Sequence, residues 1–250
     1  MELSAAQLDR ARGALLATAA GDALGAPYEF EPARGPDLEV AMVGGGAFGW
    51  QPGEWTDDTS MAIAIGEVAA SGADLRDQAA QTLIVARWYE WSRTARDVGN
   101  QTRSVLDEVG HRGITAANAL AASRALHERT GHTAGNGSLM RTVPVALAYL
   151  HDEDALVDAA RTISDLTHFD SDAGDACVLW CLAIRHAVLT GDLDARVGLP
   201  RLDTDQRVVW SQRLDVAETR RPSDFGHNGW VVEAVQAAWS AIISTPAGTD

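Results

Sequence analysis

A chain of 250 residues with 46% hydrophobic residues, 22% charged residues and 8 prolines has the composition of an ordinary globular protein with a substantial core, which excludes a disordered chain. Its formal net charge of −15 excludes a surface that grips nucleic-acid backbones non-specifically, because that mode needs clustered Lys and Arg. The N-terminus lacks a basic-then-apolar signal, no apolar run is expected to cross a bilayer, and Cys177 and Cys181 share one helical face; a cytoplasmic protein with free thiols and no membrane partner is predicted.

In chain order, Ser4 with Gln7 forms a capping-box signature, and the helix it opens carries Leu8, Ala11, Leu15 and Ala19 at helical spacing. That helix runs into Gly21-Asp22-Ala23-Leu24-Gly25-Ala26-Pro27-Tyr28-Glu29. Small residues there permit close helix crossing, while Asp22 and Glu29 are candidate site carboxylates; the pattern leaves both readings open. Residues 31–55 hold Pro32, Gly35, Pro36, Gly44-Gly45-Gly46, Gly49, Pro52 and Gly53, which predicts a long irregular loop. It delivers the chain to Trp55-Thr56-Asp57-Asp58-Thr59, at the foot of an apolar pattern through Met61, Ala62, Ile65, Val68 and Ala69. Adjacent carboxylates repel and are costly to bury, so such a pair points to a divalent cation. The alternative is a helix cap, with Thr56 or Asp57 accepting the orphan N–H groups.

Further helices are expected at about 58–71, 75–92, 99–110, 115–129, 137–150, 153–167, 171–190, 205–220 and 229–243, with Gly110, Gly131, Gly191 and Gly198 marking breaks. Neither strand alternation nor a fixed repeat is visible, so an all-α fold with a single domain over 1–250 is expected. Trp88, Trp91, Trp180, Trp210, Trp230 and Trp239 fall mostly on apolar helix faces and are read as core. Asp97-Val98-Gly99-Asn100-Gln101-Thr102-Arg103 opens a helix that Asp97 or Asn100 could cap. Gly135-Asn136-Gly137-Ser138-Leu139-Met140-Arg141 is a glycine-rich turn running into an apolar helix, a natural cradle for a phosphate or diphosphate, though not a Walker A loop. Thr167-His168-Phe169-Asp170-Ser171-Asp172 joins two helices, with His168 structural or site-lining and Asp170 or Ser171 as the next cap.

Taken in order, Gly21-Asp22-Ala23-Leu24-Gly25 with Glu29, Thr56-Asp57-Asp58-Thr59, Asp97-Val98-Gly99, Gly135 through Arg141, and Thr167-His168 resemble the ADP-ribosylglycohydrolase family. The resemblance runs from about residue 10 to about residue 240 and includes the helix at Gly229-Trp230-Val231-Val232-Glu233-Ala234. It implies a compact orthogonal multi-helix bundle holding a binuclear Mg2+ (or Mn2+) site, with Thr56, Asp57 and Asp58 as oxygen ligands. It further implies Glu29 over the metals, Asp97 with Gly99 facing the distal ribose or a water, Gly137 with Ser138 holding the diphosphate, Asn136, Leu139 and Met140 as further substrate-binding residues, and His168 lining the same cleft. The implied activity is cleavage of the bond between ADP-ribose and a protein, nucleic-acid or small-molecule acceptor, with Glu29 or Asp97 in acid/base roles. One segment departs: the family's late Gly-Asp-x-Asp-Thr is not matched by Gly248-Thr249-Asp250. The expectations that follow are a missing C-terminal part, weak binding of the second metal and, as the alternative function, a non-catalytic ADP-ribose binder.

Overall fold

The computed structural model describes residues 2–31, 35 and 39–245, and within them ten α-helices are interspersed with four 3-10 segments. Among the described residues no strand forms; two isolated bridges, Gly45 with Trp50 and Gly135 with Trp230, are the sheet-like contacts. The all-α expectation therefore holds. Residues 246–250, where the closing Gly-Thr-Asp falls, and residues 32–34 and 36–38 of the long loop lie outside the described set.

Helix α1 (Ala5–Gly25) begins at the expected capping box: Ser4 Oγ accepts the Gln7 N–H at 3.3 Å, and Gln7 Oε1 accepts the Ser4 N–H at 2.9 Å. There follow α2 (Asp57–Ala70), α3 (Gln78–Ser92), α4 (Asn100–Arg112) and α5 (Ala116–Thr130). The second half comprises α6 (Val143–Ala148), α7 (Glu153–Asp165), α8 (Ser171–Thr190), α9 (Thr204–Thr219) and α10 (Val231–Ser244). Most lie within a few residues of their expected positions.

Two helices differ for visible reasons. The helix expected over 137–150 is divided into a 3-10 turn, Asn136–Ser138, and the short α6, with Pro144 in the first turn of α6. Proline has no N–H to continue a helix through that point but fits a first turn. Helix α3 starts at Gln78 rather than 75, because the Leu75 N–H donates to the Tyr149 hydroxyl at 2.7 Å and Leu75 is fully buried.

Helix α8 corrects another expectation, since its 20 residues, at mean hydropathy 1.3, are long and apolar enough to span a bilayer. It lies instead against α7, α1, α6 and α10, with Ala173, Ala176, Cys177, Val178, Cys181 and Leu182 buried. Small side chains on its faces let four helices approach one rod. Both cysteines are free, as expected. Of the tryptophans, Trp88, Trp210 and Trp239 are core, while Trp91 and Trp180 pack partly buried against it. Trp230 is corrected: it is 42% exposed, just before α10, with the Arg213 guanidinium 5.8 Å from its ring.

Candidate functional site

Thr56 sits at the N-cap of α2, yet its side chain makes no capping bond. Asp22, near the end of α1, supplies the cap from a distance. Its carboxylate accepts the N–H groups of Thr56 and Thr59 at 3.0 Å and their hydroxyls at 2.7 and 2.6 Å. The orphan donors of α2 are thereby satisfied by a residue 34 positions away, and the cap reading of Thr56 and Asp57 is replaced. Both first-turn carboxylates, Asp57 and Asp58, remain half-buried with no basic partner.

Glu29 follows the 3-10 turn Ala26–Tyr28 at the exposed rim. The next residue, Phe30, adopts φ +63°, a left-handed conformation that an aromatic residue rarely takes without support. Support comes from the 39–50 segment. Tyr28 donates to the Ala41 carbonyl at 2.7 Å, the Phe48 ring meets Phe30 edge-on at 6.1 Å, and Gly46 lies so close to Pro27 that a Cβ would stand 2.9 Å from its carbonyl oxygen. The long loop is thus pinned beside Glu29.

Asp97, between α3 and α4, does not cap α4: Gly99 is its N-cap, without a side-chain bond, and Asn100 is the first helical residue. Its Oδ2 is buried without a partner. Burial foremost, then the neighbouring Asp57, pushes the Asp97 carboxyl up to about 7. Burial and the charges of Asp57 and Asp22 raise Glu29; burial and Asp22 raise Asp57; burial, then Asp57, Asp22 and Glu29, hold Asp58 well above the carboxylate range. Four acids that disfavour one another's ionisation form a site demanding positive charge. The donors of Thr56, Asp57 and Asp58 are all oxygens, as a hard divalent cation requires. Among the described residues, no group of three or more His, Cys, Asp or Glu side chains is placed to hold a metal ion. A cavity of about 400 Å³ is lined by Thr56, Asp97, Trp50, Trp55, Trp91 and Arg96.

The glycine-rich turn is held by contacts to three other parts of the chain. Gly135 pairs with Trp230, the Asn136 N–H donates to the Gly229 carbonyl at 3.1 Å, and the Asn136 amide donates to the Asn228 carbonyl at 2.9 Å, tying the turn to the start of α10. Gln101, in the first turn of α4, donates to the Thr133 and Thr167 carbonyls at 2.9 Å, so α4, the glycine turn and the His168 segment meet at one side chain. A Cβ at Gly137 would stand 3.0 Å from His168 Nε2 and Cε1, which explains glycine there. The Ser138 hydroxyl points inward, accepting from Ser164 Oγ at 2.9 Å and Cys177 Sγ at 3.5 Å, and Leu139 belongs to the core with Met140 packed on it. Burial and the nearby Arg141 guanidinium hold His168 well below the usual imidazole range. Asp170, one of the two expected candidates, caps α8 by accepting the Asp172 N–H at 3.0 Å.

Three residues escaped sequence reasoning in these roles. Asp22 was a site candidate with no hint of capping a distant helix. Gln101 and Arg141 lay inside noted motifs without an assigned part; for Arg141 the signal was an arginine entering an otherwise apolar stretch.

Residues 3–248 match the family model described as ADP-ribosylglycohydrolase. The chain is 38% identical over 240 residues to ADP-ribosylarginine hydrolase Tri1 of Pseudomonas putida (strain GB-1), a match covering 94% of this chain and 62% of that protein. It is 35% identical over 184 residues to the ADP-ribosyl-[dinitrogen reductase] glycohydrolase of Rhodospirillum rubrum, covering 72% of this chain and 58% of the relative. Matches therefore span less than two thirds of these curated relatives. A solved structure titled ADP-ribosylglycohydrolase-related protein complex superposes with a TM-score of 0.70 at 29% identity, over 96% of this chain and 77% of that one.

Proposed function

The chain belongs to the ADP-ribosylglycohydrolase family, and from that premise we propose that it is a divalent-cation-dependent hydrolase releasing ADP-ribose from an acceptor, with arginine the acceptor to test first. Arginine is favoured because one relative is named an ADP-ribosylarginine hydrolase. The observation that carries the proposal is the group of four carboxylates, Glu29, Asp57, Asp58 and Asp97, each with its acid form favoured by burial and by its acidic neighbours.

In this reading Thr56, Asp57 and Asp58 hold Mg2+ or Mn2+, which when bound neutralises the cluster and makes a coordinated water more acidic. Asp22 keeps the first turn of α2 in place. Asp97, poised near neutrality, can exchange a proton at Oδ2 with a water or leaving group, and Glu29 can do the same at the rim. The glycine turn receives the diphosphate through the Gly137 and Ser138 N–H groups, since that of Asn136 is taken by the Gly229 carbonyl. A cytoplasmic setting accompanies this reading, supported by the two free thiols.

The test supplies Mg2+ and ADP-ribosylated substrates linked through Arg, Ser or a base. Release of ADP-ribose is expected, abolished by EDTA and reduced about ten- to a hundredfold by Asp57→Asn, on the order of a lost support of a metal site. A folded chain that releases none from any linkage sinks the proposal. That no group of three or more His, Cys, Asp or Glu side chains among the described residues is placed to hold a metal ion favours one second reading, an ADP-ribose binder without catalysis. Calorimetry separates the two: binding indifferent to EDTA supports the binder.

A further inference from the structure

Arg141 is completely buried, and no carboxylate pairs with it. One terminal nitrogen donates to Thr167 Oγ1 at 2.7 Å and to the Ile163 carbonyl at 3.3 Å, the other meets Met61 Sδ at 3.7 Å, and Nε has no partner. The guanidinium carbon lies 3.9 Å from the centre of the Trp88 ring. A desolvated cation with so few partners is costly, and packing alone would be served better by an apolar residue of similar volume. What the guanidinium does fix is the direction of one hydroxyl proton.

Thr167 is also fully buried, and its Oγ1 lies 2.8 Å from His168 Nδ1. Arginine can only donate, so Thr167 accepts from it, and the hydroxyl proton must go elsewhere. Were Nδ1 protonated, Thr167 would receive two donors and its own proton would be stranded in a dry interior, the costly case for a buried polar group. The hydroxyl therefore donates to Nδ1, and the ring proton resides on Nε2. That edge of the ring faces the glycine turn: hypothetical Cβ atoms on Gly135 and Gly137 would lie 3.3 and 3.0 Å from Nε2. Nε2 makes no hydrogen bond to any described residue.

We propose that Arg141 is a positioning residue which, through Thr167, fixes His168 as the Nε2–H tautomer, so that a neutral imidazole presents an N–H donor to a ligand oxygen seated on the Gly135–Gly137 turn. The ligand part rests on the reading of that turn as the ADP-ribose cradle; the tautomer part does not. His168 on this account neither accepts nor delivers a proton during the reaction.

The experiment is long-range proton–nitrogen NMR on the full chain carrying 15N-histidine, with calorimetry of ADP-ribose binding beside it. In the parent chain His168 shows one protonated nitrogen, Nε2. Thr167→Val, nearly isosteric, brings in the second tautomer and weakens ADP-ribose about tenfold, the order expected for one buried hydrogen bond to an anionic or polar group. Thr167→Ser, which keeps the hydroxyl, restores both readouts. Arg141→Met gives the tautomer mixture of Thr167→Val, and should it not fold the Thr167 pair decides. An Nδ1–H ring in the parent, an unchanged tautomer in Thr167→Val, or a changed tautomer with unchanged affinity each overturns the proposal. A chain with the expected tautomers that hydrolyses nothing removes the proposed function and leaves the role of Arg141 standing.

Discussion

At the scale of single residues, carboxylates that feel one another's charge have opposite duties. Asp22 is satisfied four times over by Thr56 and Thr59 and joins two helices. Asp22→Ala leaves those donors orphaned and is expected to cost about 2–3 kcal/mol, the sum of a lost cap and buried hydroxyl bonds, read as a lower urea midpoint. Asp58 has no such partner, and burial with its acidic neighbours raises its carboxyl. In metal-free protein Asp58→Asn should therefore raise the urea midpoint, while hydrolysis is lost. A fall in stability for Asp58→Asn under EDTA would show that Asp58 is held by something other than a cation.

At the scale of elements, glycines separate by what a methyl group would meet. At Gly137 it would press on the His168 ring at 3.0 Å, within a turn anchored on both sides, so little can give. Gly137→Ala is expected to weaken ADP-ribose binding at least tenfold, about 1.4 kcal/mol, as measured by calorimetry. Gly66, inside α2, offers the contrast: the nearest atom to its Cβ would be Pro144 Cβ at 3.7 Å, an ordinary contact. Gly66→Ala should stabilise the chain by about 0.5–1 kcal/mol through helix propensity, visible as a higher melting temperature with unchanged binding. The helices themselves were legible from spacing and caps because those signals are local, and α1 with its Ser4–Gln7 box is the clearest case. Where a non-local bond intervened, as Tyr149 does at Leu75, the boundary moved.

At the scale of the whole molecule, the acid cluster ties stability to pH. Asp97 is raised to about 7, and Glu29, Asp57 and Asp58 are raised as well. Between an unfolded value of 3.8 and about 7 the folded chain binds more protons than the unfolded one, so stability falls as pH rises through that window. Asp165, raised to about 6 by burial, and Asp175, raised by burial, act with the same sign, while the single buried His168, held below the imidazole range, opposes them below its unfolded value of 6.5. With EDTA the melting temperature at pH 5 should therefore exceed that at pH 8. Mg2+ added at pH 8 should recover the share due to the cluster, and a pH 8 melting point indifferent to Mg2+ would argue against metal binding there.

By itself the sequence determined the helical class, most helix positions and the ordered set of motifs, from Gly21 through His168, because caps, apolar spacing and glycine-rich turns act over a few neighbours. It left open whether Thr56 and Asp57 were a cap, since a cap and a metal ligand set share the same residues at the foot of a helix. Tertiary structure decided this by bringing Asp22 to the orphan N–H groups from another helix. It also turned Ser138 inward and buried Arg141 against Trp88 and Thr167. Those outcomes depend on which donors and acceptors meet once the helices pack, and no periodicity along the chain carries that information.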